Sequence, residues 1–393
     1  MGTALRTADV VVVGGGIAGA SVAYELAASR TVTLLEADRA LARHSTARSA
    51  ASYIPGHGNA EVRALIAASG PRYARLVDEL GTPPLLIPRA VLQVAFDADG
   101  ERVLAADLAE QAGEPGGPQP LDPAEAQRRC PALAPGRVRA AAVVESAADI
   151  DTEALHQGYV RGLRARGGSV QAAAPVAAIE RRGDGWRVRA GDGLVLDCAE
   201  VVDAAGAWAD VVAGLAGVPR LGLTPLRRTI AVLSVPDPAR LRGPDPALPM
   251  VVEAAERFYF KADGPDQLLA SPADETPVQP YDARPDELDV ALALERVEEV
   301  TGLGLRSVRT SWAGLRSFVA DRRPVVGAWP EHPGFWFFAG QGGFGIESAP
   351  ALAAIGAAVV TGAALPADVP IPAAALGPSR LRLTAAPRSP EHP

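Results

Sequence analysis

Residues 11–20 read VVVGGGIAGA. With Val10 in front, four branched residues run straight into Gly14-Gly15-Gly16-Ile17-Ala18-Gly19. An unbroken apolar run is what a strand buried on both faces of a parallel sheet requires. The Gly14-x-Gly16-x-x-Gly19 spacing meets three separate needs. Gly14 permits the tight turn, Gly16 lets a diphosphate approach the backbone, and Gly19 lets the next helix pack on the sheet. The free N–H groups at the start of that helix, around Ile17 and Ala18, face phosphate oxygens. Residues 17–29 read as the helix and 31–35 as a second strand. Glu36 ends that strand, close to where a ribose-binding acid belongs. Strand, loop, helix, strand and acid together predict a dinucleotide site. The glycine spacing alone does not separate a nicotinamide from a flavin dinucleotide.

The 393 residues suffice for two or so domains and a large core. A formal net charge of −8 argues against a nucleic-acid partner, whose phosphates want a basic face. Cys130 and Cys198 are the two cysteines. They form no CxxC pair, so neither a disulfide framework nor a metal site is indicated. The first apolar run ends in the glycine loop rather than in a cleavage site, and no run of 18 apolar residues occurs. These features predict a cytoplasmic protein without a transmembrane segment.

Further along, residues 61–80 read as a helix and 85–96 as a strand or hairpin. Asp122-Pro123 and Asp151-Thr152 read as helix caps. An antiparallel excursion turns at Gly183-Asp184-Gly185, and 200–204 form another buried strand. Strands are expected at 229–235 and 257–260, and a helix at 287–300. Residues 336–339 read as a strand that leads into Gly340-Gln341-Gly342-Gly343-Phe344-Gly345 and an apolar helix. This order predicts a mixed α/β fold. A Rossmann-like nucleotide-binding domain would be assembled from residues 1–84, 145–225 and 315–370. A β-rich substrate-binding domain would come from 85–144 and 226–314, and 371–393 would form a flexible tail.

The stretches VVVGGGIAGA, HSTARSAAS (44–52), ADIDTEAL (148–155), VVDAAGAWAD (201–210), WAGLRSFVADRRPVVG (312–327) and GQGGFGI (340–346) appear in one order. In them the chain resembles the glycine oxidase and D-amino-acid oxidase family of FAD-dependent amine oxidoreductases. Within it, the chain is most similar to bacterial D-arginine dehydrogenases. The resemblance implies non-covalent FAD. Gly14, Gly16, Gly19 and Glu36 would bind its AMP half, with Ile17, Ala18 and Ala37 beside them. His44, Ser45, Thr46, Arg48, Ser49, Ala50 and Ala51 would lie along the pyrophosphate and flavin. Val176 would touch the adenine through its backbone. Ala205, Gly206 and Trp208 would follow the strand beside the cofactor. Gly340, Gly342, Gly343, Phe344, Gly345 and Ile346 would sit against the flavin ring. A covalent flavin link is not implied, because Ser317-Phe318 stand where covalently flavinylated relatives carry a cysteine.

On the substrate side the resemblance implies a carboxylate clamp of Arg316, Arg228 and Tyr259, with Arg316 also beside the flavin. The carbonyl of Gly343 would accept from the substrate amine. Tyr53 and His57 would belong to a loop over the site, with His57 as base or hydrogen-bond donor. Ser52 stands where related enzymes have an active-site histidine. Val91 stands where D-arginine dehydrogenases have the glutamate that grips a basic side chain. An unpaired cation against an apolar wall is costly, so a neutral or apolar side chain is expected. The implied reaction moves the α-hydrogen as hydride to flavin N5, and the imino acid hydrolyses to a 2-oxo acid and ammonia. The electron acceptor, oxygen or a quinone, stays open. So do three alternatives: a secondary or cyclic amine substrate of sarcosine or proline type, a non-catalytic flavoprotein, and a nicotinamide-dependent dehydrogenase.

Overall fold

Val10 to Val13 are at most 6% exposed. In the computed structural model, which describes residues 5–384, their strand Leu5–Val13 lies between two parallel neighbours, Leu194–Asp203 and Val32–Leu35. Val32–Leu35 pairs in turn with Ser169–Gln171. The outer edge of Leu194–Asp203 is shared. Its first half takes Gly185–Ala190 antiparallel, and its last residues take Phe335–Ala339 in parallel. Val176–Arg182 and Val325–Gly327 complete this eight-stranded sheet.

Side chains alternate across the sheet. Val10 and Val12 join a core with the helices Ile17–Leu26 and Ala349–Thr361. Val11 and Val13 join the opposite core with the helix Ala209–Leu215. Ala60–Leu80 and Thr152–Ala165 pack beside the first pair of helices. Their caps follow from sequence: Asn59 accepts from the Val62 N–H, and Asp151 from the Ala154 N–H.

A nine-stranded, mostly antiparallel sheet holds the inserted segments. Its longest ladder pairs Thr224–Ser234 with Val308–Phe318. Tyr259–Ala262, Met250–Glu253 and Val91–Ala95 follow further across, and the helix Glu287–Thr301 covers its core. The two longest strands run across positions 225 and 315, the bounds expected between the two units.

A small third sheet joins Ser52–Tyr53, Ala148–Ile150 and Leu86–Pro88. The hairpin read over 85–96 is therefore two strands in two sheets. Arg89 marks the break, because its guanidinium holds Asp149 at 2.6 Å and the Leu248 carbonyl at 2.7 Å. The flexible tail expected from 371 also needs correction. Ile371 and Leu376 are buried. Arg380 binds Asp321 and the carbonyls of Arg323 and Pro324. Ile371, Leu376 and Arg380 are thus held against the body of the protein, and residues 385–393 lie outside the described residues.

A Cβ at Gly19 would stand 1.8 Å from the Gly14 carbonyl oxygen, a backbone atom that cannot swing aside. Gly19→Ala is expected to push the opening helix off the sheet at a cost of at least about 1–3 kcal/mol. Thermal unfolding and the flavin-to-protein absorbance ratio check this: both Tm and flavin content should fall together. An unchanged Tm would mean that the helix does not pack as described.

Candidate active site

A cavity of about 550 Å³ opens where the parallel strands end. Gly14–Ala18 form its floor. The helix that begins there is capped by Gly16, with no side-chain cap and no acid in its first turn. Its positive dipole end is therefore left to an anion. The Thr46 hydroxyl accepts from the Ile17 N–H at 3.0 Å, and His156 Nε2 meets the Gly15 carbonyl at 2.8 Å. Glu36 accepts from the Gly15 and Asp38 N–H groups, each at 2.8 Å, which fixes its carboxylate on the cavity wall.

Beyond Glu36 the wall becomes an apolar slot. Val176, Ala205 and Val212 line it, and so do Val211 and Leu215, which are 49% and 37% exposed. Apolar surface of this kind is the counterpart of a flat ring system. Trp208 and His44 lie 4.7 Å apart on the same cavity, and His44 pairs with Asp38 at 2.9 Å. The opposite end runs to Ser49, Ala50, Gly342, Gly343, Gly345 and Ile346. Apolar slot, acid and helix dipole end occur in the order of adenine, ribose and diphosphate. The residues present fit FAD.

Ile17, Ala18, Ala37, Ser45, Thr46 and Gly206 also line this cavity. Several other expected residues stand elsewhere. Gly19 serves helix packing. Gly340 and Phe344 are off the cavity wall. Gly340, at φ +71°, makes the turn after Phe335–Ala339. The Phe344 ring rests 4.7 Å from His57 and 6.4 Å from Phe318. Arg48 touches the cavity, but its guanidinium donates to the carbonyls of Ala283 and Ala313 and to Asp282. Its guanidinium thereby braces the substrate sheet. Ala51 lines a second cavity and not the first. Tyr53 lines neither: it is 7% exposed and packs against Tyr73 at 6.1 Å. Ser52, its neighbour on the strand, takes the opposite face and lines the second cavity, with its hydroxyl 3.4 Å from the Met250 sulfur.

The second cavity, about 390 Å³, meets the first at Arg228, Tyr259, Arg316 and Gly343. The register sets the two arginines on one face of neighbouring strands, since Leu226 pairs with Arg316 and Arg228 with Gly314. A Cβ at Gly343 would stand 2.9 Å from Arg316 Nη1, and one at Gly342 would stand 2.1 Å from the Phe318 ring. The paired glycines let the late loop lie directly on these side chains.

Arg228 is buried and holds Glu275 at 3.2 Å, while Arg322 holds the same carboxylate at 2.8 Å. The Nε of Arg228 has no partner. The Arg316 side chain makes no hydrogen bond or ion pair among the described residues. Burial, and then the Arg316 charge, push the Arg228 pKa down to about 10. Two guanidiniums on one wall, short of counter-charge, form a receptor for an anion.

His57 is not a loop histidine in solvent. Its Nδ1 meets Glu347 Oε1 at 2.9 Å, and Glu347 Oε2 accepts the Ile54 N–H at 3.1 Å. Glu347 is 3% exposed. Burial lowers the imidazole pKa, but the charge and hydrogen bond of Glu347 outweigh it, and the net shift is upward. Glu347 was legible only as the acid that follows GQGGFGI. Asp107, Gln111 and Glu256 also line the second cavity, and nothing local in the sequence marks them.

Among the described residues no helix is long and apolar enough to cross a membrane. The model of the FAD dependent oxidoreductase family (DAO) matches residues 9–359, and the chain belongs to that family. It is an FAD-dependent oxidoreductase. The bovine (Bos taurus) FAD-dependent oxidoreductase domain-containing protein 1 is 25% identical over 88% of this chain and 79% of its own. Among solved structures, L-proline dehydrogenase from P. horikoshii superposes with a TM-score of 0.83 at 19% identity, over 97% of this chain and 99% of that one. Glycine oxidase from Geobacillus kaustophilus gives 0.82 at 20%, over 95% and 99%. At these identities the likeness shows the shared fold.

The upward shift makes the His57 pair a pH-dependent tie. Its stabilisation is fully present below the ordinary imidazole value of 6.5 and is lost as pH rises through the higher folded value. NMR titration of the His57 ring should find a pKa above 6.5. In Glu347→Gln the largest upward contribution is lost, and the ring's pKa should fall relative to the parent protein. A ring that titrates alike in both proteins would rule out the pairing.

Proposed function

We propose that the protein oxidises the amine of an amino acid, in its D form, with FAD as hydride acceptor. The observation that carries this reading is the Arg228–Arg316 pair at the junction of the two cavities. Arginine's planar fork matches a carboxylate with two parallel hydrogen bonds. A carboxylate held there brings the α-carbon to the inner end of the cofactor cavity, which is the positioning part of the reaction. Tyr259 adds a hydroxyl on the same wall, and the Gly343 carbonyl is the acceptor for the amine. Ser52 and His57 flank the outer side. His57, held protonated by Glu347, is a hydrogen-bond donor to substrate below its pKa. FAD held by the cavity residues would supply the hydride acceptor for the α-hydrogen, and the imino acid so formed would hydrolyse to a 2-oxo acid and ammonia.

Support comes from two further sides. The two quoted structural neighbours carry the names of enzymes for L-proline and glycine, both α-amino acids. Preference for the D form rests on the sequence likeness to D-arginine dehydrogenases. Val91 and Met250 share an apolar cluster with Tyr259, so the first carbons of the side chain meet an apolar wall. A secondary or cyclic amino acid is the second reading, favoured by the fold match to L-proline dehydrogenase.

Anaerobic bleaching of the bound flavin by a panel of D-, L- and N-methyl amino acids tests the reading. A D-amino acid should bleach it and the L form should not, while faster bleaching by N-methyl or cyclic members would select the second reading. Arg316→Met should retain FAD and lose ~2–5 kcal/mol of transition-state binding, roughly 30-fold or more in kcat/KM. If a simple alkylamine without a carboxylate bleaches the flavin as fast as the amino acid, the carboxylate clamp is wrong.

A further inference from the structure

The two arginines of the clamp differ in what stands behind them. Of the guanidinium nitrogens of Arg228, Nη2 meets Glu275 Oε1 at 3.2 Å. Nε is closed off without a partner, whereas Nη1 has no partner among the described residues but is not closed off. Arg228 lines both cavities, and Glu275 and Arg322 line neither. Glu275 therefore stands behind the clamp and not on the wall that a ligand touches. Burial and then Arg316 push the Arg228 pKa down, while Tyr259, Glu275 and Asp274 push it back up.

Glu275 is anchored independently of Arg228. Arg322 holds it with two hydrogen bonds, at 2.8 and 3.1 Å. A charge-assisted N–H···O bond is ordinarily about 2.7–2.9 Å long. The full-strength contact thus belongs to Arg322, and the 3.2 Å contact to Arg228 is the weaker share. The Arg322 guanidinium is itself laid 3.7 Å over the Phe318 ring. The turn that carries Glu275 is tied to the strand of Arg228, because Asp274 accepts from the Thr229 N–H at 2.7 Å and from its hydroxyl at 3.1 Å. One carboxylate is thereby fixed between an inner arginine and an outer one, and only the inner one faces the cavities.

A substrate carboxylate changes no bond in the reaction. The grip on it is equal in substrate, transition state and product, so tightening it lowers KM, adds nothing at saturation and slows departure of the 2-oxo acid. Two arginines on a partly dry wall without counter-charge would grip hard. We propose that Glu275 sets the affinity of the clamp. It is a fixed counter-charge behind Arg228 that loosens the hold on a carboxylate at the junction, and Arg322 governs how much of that charge Arg228 receives. Glu275 acts through Arg228 and is therefore a positioning residue. The inference rests on the carboxylate clamp proposed above. The Glu275 side chain is 35% exposed, so water discounts its pull and the effect is a severalfold one.

Propanoate, a carboxylate without an amine, is the probe, titrated by calorimetry into the FAD-loaded protein. Glu275→Gln keeps the shape and removes the charge, and it should bind propanoate about fivefold more tightly than the parent protein. Arg322→Met leaves Glu275 wholly to Arg228 and should bind propanoate about fivefold more weakly. A disturbed fold would weaken binding in both variants, so the opposed signs separate a tuned clamp from a structural role. In anaerobic flavin reduction by the fastest amino acid of the panel above, Glu275→Gln should lower the half-saturating concentration by the same factor and keep the limiting rate within about twofold. Propanoate held no more tightly by Glu275→Gln than by the parent protein overturns the proposal and leaves the clamp standing. Arg322→Met that binds propanoate as tightly as the parent protein overturns the sharing of Glu275. If the parent protein binds no propanoate, the clamp itself fails, and the proposal with it. If propanoate behaves as stated while no amino acid reduces the flavin, the tuned clamp stands and the amino-acid reading fails.

Discussion

Gly14 comes so close to the end of Leu194–Asp203 that a Cβ there would stand 2.4 Å from the Ala204 carbonyl oxygen. Its φ of +112° is itself closed to most other residues. This approach brings two strand ends together, and the rest of the site is built on their shared rim. The helix Ile17–Leu26 leaves from one strand end, and the turn Ala205–Trp208 leaves from the other. Phe335–Ala339, parallel to the end of Leu194–Asp203, delivers Gly342 and Gly343 to the same rim. In an open parallel sheet, ligands bind outside the carboxyl ends of the strands.

The other wall of the cofactor cavity is held from outside the nucleotide domain. Ser45 donates to the Leu315 carbonyl at 2.6 Å, and the Trp312 indole donates to the Arg48 carbonyl at 3.1 Å. Lys261 donates to the Ala50 carbonyl at 2.6 Å and to Asp149 at 2.7 Å, and Arg89 grips the same aspartate. Segment 45–51 is therefore clamped by two strands of the substrate sheet and by the small third sheet. The cofactor wall and the arginines on the strands Thr224–Ser234 and Val308–Phe318 are parts of one rigid arrangement. The chemistry needs this, since small misplacements of a reacting atom are costly.

What could be read in the sequence was local. The glycine spacing, the caps at Asp122 and Asp151, and the acid at Glu36 each depend on residues a few positions or one βαβ unit apart. Arg228, Arg316 and Tyr259 were legible through resemblance; their juxtaposition comes from strand register, which no single segment carries. Arg48 touches the cofactor cavity, but the partners of its guanidinium lie 234 to 265 residues away in sequence, beyond the reach of any local pattern. Tyr53 and Ser52 show the period of two: the strand has two faces, and the larger side chain took the core. Asp107 and Gln111 had no signal of their own, because an acid or amide at the end of a surface helix is ordinarily solvated.

The second cavity holds charges that the protein alone leaves poorly compensated. Glu275 is divided between Arg228 and Arg322, and Arg316 has no counter-ion among the described residues. Like charges on a partly dry wall repel more strongly than in water. That repulsion lowers the stability of the ligand-free protein, and on the reading proposed above a substrate carboxylate relieves it. The relief is confined to the junction of the two cavities, so it favours one placement of the substrate over all others.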